Sequence, residues 1–360
     1  MASYRICSIP GDGIGQEVVP QALRVLDTAA EAHGFKISVE EQPWGSAYYM
    51  ATGLMMPEEG PEIVARADAT IFGAVGSPDV PDTISAWGLI LSTRQKLDLY
   101  LNLRPLRSLP SPLGSGPDFN LLIVRENTEG EYIDVGGRPF SGRPSEMAVQ
   151  VAIFTAAGIE RAVEDAFGRV PAGGLLTSVT KSNALPRTMG LWDDIAQAVA
   201  DRHPDVRWER MHVDAVAFQM VRDPGRFDVL VASNLFGDIL SDLGAGLQGS
   251  LGFAASGNVN PERGVGVFEP IHGSAPDIAG EGRANPCGAI NSVAMLLDFL
   301  GETRAAATVT AAVDRTLADG VATPDVGGTA TTVEFTDEVL ARLSAAGDVD
   351  DASQRPGGTS

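Results

Sequence analysis

Short apolar runs closed by a polar or charged residue recur along this chain, separated by helical patterns, and that alternation leaves few folds open. The clearest run is Arg226-Phe227-Asp228-Val229-Leu230-Val231-Ala232, which reads as a buried strand. It delivers Ser233-Asn234-Leu235-Phe236-Gly237-Asp238-Ile239-Leu240-Ser241-Asp242, with Asn234 expected as N-cap and a helix from Leu235 onward. Further strands are expected at 4–10, 36–40, 69–74, 120–124, 174–179, 206–211 and 264–268. Helices are expected at 16–33, 89–101, 147–167, 288–300, 302–317 and 335–343. Strands alternating with helices imply a largely parallel α/β sheet. Ligands bind at the carboxyl ends of strands in open sheets of this kind. Arg125, Lys181, Asp214 and Asn234 all fall there.

The glycines of Gly11-Asp12-Gly13-Ile14-Gly15 follow the first strand but do not make a dinucleotide fingerprint, because the third glycine would fall on Gln16. A tight strand-to-helix turn explains them equally well. Residues 109–117, rich in Pro, Gly and Ser, read as a loop, 136–144 as an irregular arm, and the polar tail as disordered. The 360 residues suit two domains or one large one. A net charge of −21 argues against nucleic acid or an anionic membrane as partner. Cys7 and Cys287 sit in apolar contexts, as in a reducing compartment. Met1-Ala2-Ser3-Tyr4-Arg5 carries no signal-peptide pattern, and no uncharged apolar run is long enough for a bilayer, so a cytoplasmic protein is expected.

An acidic protein that binds an anion must gather its cations. Arg94, Arg104 and Arg125 are three fixed forks, each able to grip a carboxylate. Asp238 and Asp242 share one helix face, where their repulsion becomes ligation if a hard divalent cation binds. The plainer alternative is a pair of solvated acids near a helix N-terminus. Lys181 is a candidate base once burial and neighbouring cations favour its neutral form. Tyr132 is a candidate proton donor or an ordinary half-buried aromatic. His272 and Asp277 suit an adenosine, or form a turn with a capping acid.

Taken together, Pro10-Gly11-Asp12-Gly13-Ile14-Gly15, Asn102-Leu103-Arg104-Pro105, Val124-Arg125-Glu126-Asn127, the Asn234 to Asp242 stretch and the segment from Phe268 to Ala279 resemble the isocitrate/isopropylmalate dehydrogenase family. The resemblance covers about residues 4 to 345. It implies an α/β isopropylmalate-dehydrogenase-like fold with two domains around a large mixed, partly parallel sheet, not a Rossmann fold. Residues 1–103 and 253–347 would form the large NAD-binding domain. Residues 104–252 would form a smaller dimerisation and substrate domain with an arm near 133–146, leaving 348–360 as a disordered tail. It further implies a homodimer with shared active sites, NAD, Mn²⁺ or Mg²⁺, and a monovalent cation such as K⁺.

Carried over by position, Arg94, Arg104 and Arg125 match the carboxylate clamp, with Tyr132 as proton donor and Lys181 as general base. Asp238 and Asp242 match metal ligands, and Asp214 the ligand from the other subunit. The cofactor loop matches Glu269, His272, Gly273, Ser274, Ala275, Asp277 and Ile278, with Asn285 near the adenine. The implied reaction is oxidation and β-decarboxylation of a (2R)-hydroxy diacid. Trp87, with Ile-Ser-x-Trp-Gly and Glu126-Asn127-Thr128-Glu129-Gly130-Glu131-Tyr132, looks like the tartrate/D-malate dehydrogenase branch, in which a bulky Trp leaves room for a small C3 substituent. Ile90 and Leu91 still offer an apolar wall, which keeps 3-isopropylmalate as the alternative. A homologue that lost catalysis would have damaged Lys181, Tyr132 or the aspartates, and all are present.

Overall fold

The computed structural model describes residues 1–110 and 118–354. Most of the loop expected at 109–117, and the end of the expected tail, lie outside the described residues. The chain opens with β1 (Ser3–Gly11), α1 (Gly15–His33), β2 (Lys36–Glu41), α2 (Ser46–Thr52), α3 (Gly60–Arg66) and β3 (Ala69–Ala74). Helices α4 (Asp82–Ser85) and α5 (Leu91–Lys96) are joined by a π-helical turn at Ala86–Ile90 and lead into β4 (Leu101–Arg107) and β5 (Asn120–Glu126). A small hairpin of β6 (Gly136–Gly137) and β7 (Val149–Gln150) precedes α6 (Ala156–Gly168), β8 (Leu175–Thr180), α7 (Thr188–Ala200), β9 (Arg207–His212) and α8 (Val213–Arg222). Next come β10 (Val229–Ala232), α9 (Asn234–Gln248), β11 (Ala255–Asn260) and β12 (Val265–Pro270). The closing helices are α10 (Cys287–Phe299), α11 (Thr303–Ala318) and α12 (Thr332–Gln354).

Ten strands form one mixed sheet in the order β2-β1-β3-β12-β11-β4-β5-β10-β8-β9. The first four are parallel and so are the last four. Three antiparallel pairings through β11 and β4 join the two blocks. The domain limits expected at 103/104 and 252/253 fall within β4 and just before β11. Because β5, β10, β8 and β9 run parallel, Arg125, Asn234, Lys181 and Asp214 share one carboxyl edge of their block.

The elements follow from local chemistry. Helix α1 buries Val18, Val19, Ala22, Val25, Leu26 and Ala29 on one stripe and stops at Gly34, whose φ of 74° suits a left-handed cap. Each fully buried Val or Leu of that stripe contributes ~1.5–3 kcal/mol. Strand β3 is buried at every position, as a strand covered on both faces must be. Residues 348–354, expected to begin a disordered tail, are instead the end of α12, and two expected helix boundaries also differ. The helix expected at 147–167 begins only at Ala156, because Thr155 caps it by accepting from the Gly158 N–H at 3.0 Å and residues 149–150 pair with 136–137 in the hairpin. The helix expected at 89–101 is instead the π-helical turn plus α5, and 101 onward is strand. Among the described residues no helix is long and apolar enough to cross a membrane.

Candidate active site

A cleft of about 660 Å³ gathers Trp87, Ile90, Leu91, Arg94, Arg104, Arg125, Tyr132 and Asp238 in one place. Thr83, Glu131, Asp134 and Gln150, which sequence reasoning left aside, line it too. Trp87 and Ile90 reach it from the π-helical turn, a local widening of the helix that frequently accompanies functional sites. Arg94 follows on α5. Arg104 and Arg125 point from β4 and β5, adjacent antiparallel strands.

Each arginine is braced before any ligand arrives. Arg125 is buried; its Nε and Nη2 donate to Asn234 Oδ1 at 2.9 and 2.6 Å, and its Nη1 donates to Asp238. Asn234 is therefore not the helix cap expected from sequence. Ser233 takes that position, and the Asn234 side chain is drawn off by Arg125. In place of a capping side chain on the helix itself, Glu131 accepts from Ser233 Oγ and the Leu235 N–H, both at 3.2 Å. Gly237 lets Arg125 pass, since a Cβ there would lie 2.7 Å from both Arg125 Cβ and Cγ. Arg104 donates through Nε to Asn102 at 2.6 Å and through Nη1 to Ser241 at 2.5 Å. Arg94 Nη2 donates to Glu269 at 2.7 Å, both side chains nearly buried. Among the described residues, Arg94 Nη1 and Arg104 Nη2 have no protein partner. Burial, then the neighbouring Arg104, pulls Arg125 down to about 9, still charged at neutral pH.

Asp238 is the hub of the charged groups. Burial would raise its carboxyl, but Arg125 and Arg104 (3.2 Å away) outweigh that and hold it below the usual carboxylate range. Its Oδ2 accepts from Tyr132 Oη at 2.8 Å. Burial and the Asp238 charge push the Tyr132 phenol up to about 12, so it keeps its proton at any ordinary pH. Asp242 lies one turn on, 3.8 Å from Arg104. Burial raises its carboxyl, with Arg104 opposing and Asp238 adding to the rise. These are hard oxygen donors with spare lone pairs, and they fit Mg²⁺ or Mn²⁺. They are only two: among the described residues no group of three or more His, Cys, Asp or Glu side chains is placed to hold a metal. Lys181 and Asp214 do not line the cleft. They pair with each other at 2.6 Å, and Lys181 lowers the Asp214 carboxyl.

The loop expected to hold the cofactor follows β12. Its Ser274 carbonyl accepts from the Ile14 N–H at 2.8 Å, and Gly13 (φ 55°) makes that approach possible, because a Cβ there would sit 2.0 Å from the same oxygen. A second cavity of about 350 Å³ is lined by Ile14, His272, Ile278 and Asn285, together with Arg283 and Asp325. His272 Nδ1 donates to the Gly273 carbonyl at 2.9 Å, and desolvation keeps the ring neutral, which leaves Nε2 a bare acceptor. That Nε2 is buried without a partner and fits a donor such as the amino group of an adenine. Asn285 is fixed by Asp325 at 3.1 Å and by the Cys287 N–H at 3.0 Å. Asp277 is exposed, and neither it nor Gly273, Ser274 or Ala275 lines this cavity. Glu269 is apart from it as well, turned toward Arg94.

Fold and cleft together define an α/β enzyme for a small anionic substrate. The chain belongs to the isocitrate/isopropylmalate dehydrogenase family, whose profile matches residues 5–339. It is similar to D-malate dehydrogenase [decarboxylating] of Escherichia coli K12, 47% identical over 354 residues covering 94% of this chain and 98% of the relative. It is 45% identical to a probable tartrate dehydrogenase/decarboxylase of Bacillus subtilis, covering 95% and 99%. The crystal structure of isocitrate dehydrogenase from Methylococcus capsulatus superposes with a TM-score of 0.87 at 35% identity, covering 95% and 99%. The protein is thus an oxidoreductase of the dehydrogenase/decarboxylase type.

Proposed function

We propose that the cleft binds a (2R)-hydroxy diacid, D-malate or tartrate, which the protein oxidises and decarboxylates with NAD⁺ and Mn²⁺ or Mg²⁺. The observation that carries this reading is Trp87 on the wall of the cleft that also holds Arg94, Arg104, Arg125, Tyr132 and Asp238. A bulky indole there limits the C3 substituent to hydrogen or hydroxyl. The names of the relatives in D-malate and tartrate metabolism support the same choice. So does charge: in a chain of net charge −21, three arginines are gathered on the lining of one cleft, which suits an anionic substrate.

Asp238 and Asp242 would hold that cation, with Asp214 from a second copy of the chain as third ligand. Once bound, NAD⁺ would accept the hydride from C2, and the cation would supply Lewis acidity at the C2 oxygen. The chain does the rest. The free N–H groups of Arg94 and Arg104 grip carboxylate and fix which face of C2 meets the cofactor. Lys181 from the second copy, once Asp214 is engaged elsewhere and its ammonium has released a proton to solvent, takes the hydroxyl proton on the neutral Nζ. Tyr132 Oη gives its proton to the carbon that CO₂ leaves. A homodimer is supported by apolar side chains exposed on α8 and α9 (Phe218, Val221, Ile239) and on the arm (Val135, Phe140, Met147, Val149, Val151).

3-Isopropylmalate is the second reading, because Ile90 and Leu91 line the same cleft. The deciding measurement is kcat/KM on D-malate, L-tartrate and 3-isopropylmalate with NAD⁺ and Mn²⁺. D-malate or tartrate is expected to lead. A preference for isopropylmalate beyond about tenfold, ~1.4 kcal/mol of transition-state binding, overturns the assignment.

A further inference from the structure

A row of polar side chains crosses the middle of the sheet, where a core would ordinarily be apolar. It runs from Glu269 on β12 through Asn258 on β11 to Asn102 and Arg104 on β4, with Arg125 on β5 beside them. Strand register puts Asn258 directly opposite Asn102, and Asn102 directly opposite Arg125. Asn258 has no solvent exposure, and its amide is fully used. Its Nδ2 donates to Glu269 Oε1 at 2.8 Å and to the Val267 carbonyl at 3.2 Å. Its Oδ1 accepts from Asn102 Nδ2 at 2.7 Å and Asn127 Nδ2 at 3.1 Å. The groups at the two ends of this relay are those that grip substrate. Glu269 Oε1 also takes the Arg94 bond at 2.7 Å, and Asn102 Oδ1 takes the Arg104 bond at 2.6 Å.

An amide at this position is chemically specific. It must donate on one side, to a carboxylate, and accept on the other, from an amide N–H. A carboxylate at 258 would meet Glu269 as like charge, and an apolar residue would leave the Asn102 amide N–H without its acceptor and Glu269 with Arg94 alone. The same β12 that carries Glu269 runs at its end into the His272 to Ile278 loop, so the relay also ties the arginines to the strand that positions the second cavity.

We propose that Asn258 is a positioning residue that sets Arg94 and Arg104 in one fixed relation by donating to Glu269 and accepting from Asn102. The inference rests on reading the cleft as a hydroxy-diacid site. It predicts that the direction of the hydrogen bond, rather than side-chain volume, decides how well the carboxylates are gripped.

The test compares Asn258→Asp, which keeps the shape but removes the donor, with Asn258→Ala, which removes the donor without adding a charge; Glu269 is left intact because its Oε1 also accepts from Arg94. Each is assayed as the full chain with NAD⁺ and Mn²⁺ on D-malate, L-tartrate and 3-isopropylmalate. NADH affinity without substrate is read by fluorescence titration, and the unfolding midpoint is recorded. Asn258→Asp is expected to raise KM at least tenfold on whichever acid the wild type prefers, with NADH affinity within about twofold. Asn258→Ala is expected to raise KM on the same acid as well, with NADH affinity again within about twofold. A general packing defect would instead lower the unfolding midpoint and weaken NADH together in both variants, and that result overturns the proposal. So does a KM for Asn258→Asp within twofold of wild type. The identity of the preferred acid tests the substrate reading separately, because the variant-to-wild-type ratio is taken on that same acid.

Discussion

Replacing Gly237 by alanine sets two effects of known size against each other. Gly237 is in the interior of α9, where Gly→Ala alone favours the helix by ~1 kcal/mol. The new methyl would lie 2.7 Å from Arg125 Cβ and Cγ and 3.3 Å from Cδ, so the arginine or the helix must shift. Overpacking of this kind costs ~1–3 kcal/mol, which leaves stability between unchanged and about 2 kcal/mol lower. Activity should suffer more. Arg125 is held by two bonds to Asn234 and one to Asp238, and a hydrogen bond to a charged group contributes ~1.5–3 kcal/mol. Losing the equivalent of one such bond from the productive geometry lowers kcat/KM about 10- to 150-fold. Steady-state kinetics on D-malate beside thermal unfolding would read both effects. The control is Gly190→Ala in α7, where nothing beyond its own helix backbone and chain neighbours lies within 4 Å of the added methyl, and it should stabilise the protein without changing kcat/KM. If Gly237→Ala keeps kcat/KM within twofold of wild type, the fit of Arg125 against α9 does not control the fork.

Asp242→Asn preserves shape but removes a ligand charge; turnover with Mn²⁺ should vanish while NADH binding stays within about twofold, and wild-type turnover would exclude Asp242 as a metal ligand. Lys181→Ala and Asp242→Asn chains, each inactive, should regain partial activity after subunit exchange; verified exchange with no recovery would place the base in its own subunit. NAD should be preferred to NADP by at least about tenfold, ~1.4 kcal/mol, because the exposed Asp277 would repel a 2′-phosphate and Arg283 is tied to Glu281 at 2.7 Å; equal use would mean that Arg283 leaves Glu281 for the phosphate. Because the folded state raises the Tyr132 phenol from 10.0 to about 12, its contribution to stability is complete below pH ~10 and is lost as pH rises toward 12. The difference in unfolding free energy between wild type and Tyr132→Phe should therefore shrink from pH 9 upward, and a constant difference would contradict the bond to Asp238.

What sequence made legible divides along physical lines. The strand at 69–74 and the helix beginning near residue 16 were readable because apolar period and glycine punctuation are local. The cleft residues were readable as types: three forks, a carboxylate pair and a phenol. Strand β11 was not, since Ala255-Ser256-Gly257-Asn258-Val259-Asn260 has the composition of a loop and becomes strand only because β12 and β4 flank it. Asn234 satisfied every local criterion for a helix cap, yet its side chain serves Arg125 from a strand more than 100 residues earlier. The hairpin at 136–150 was hidden for a similar reason, its two strands being too short to show a period.

The place of β12 between β3 and β11 sets a clock on synthesis. Strand β3 is complete at Ala74, but the strand that covers its open side ends at Pro270, about 200 residues later. At ~5–20 residues per second a ribosome takes roughly 10–40 s to cover that distance. For that interval the nascent chain carries an edge made of Ala-Thr-Ile-Phe-Gly-Ala with its backbone unpaired, which is a template for association with other chains. Recovery of soluble protein should therefore depend on how fast the message is read between β3 and β12, and slowing that stretch would cost yield even though no residue of the finished molecule had changed.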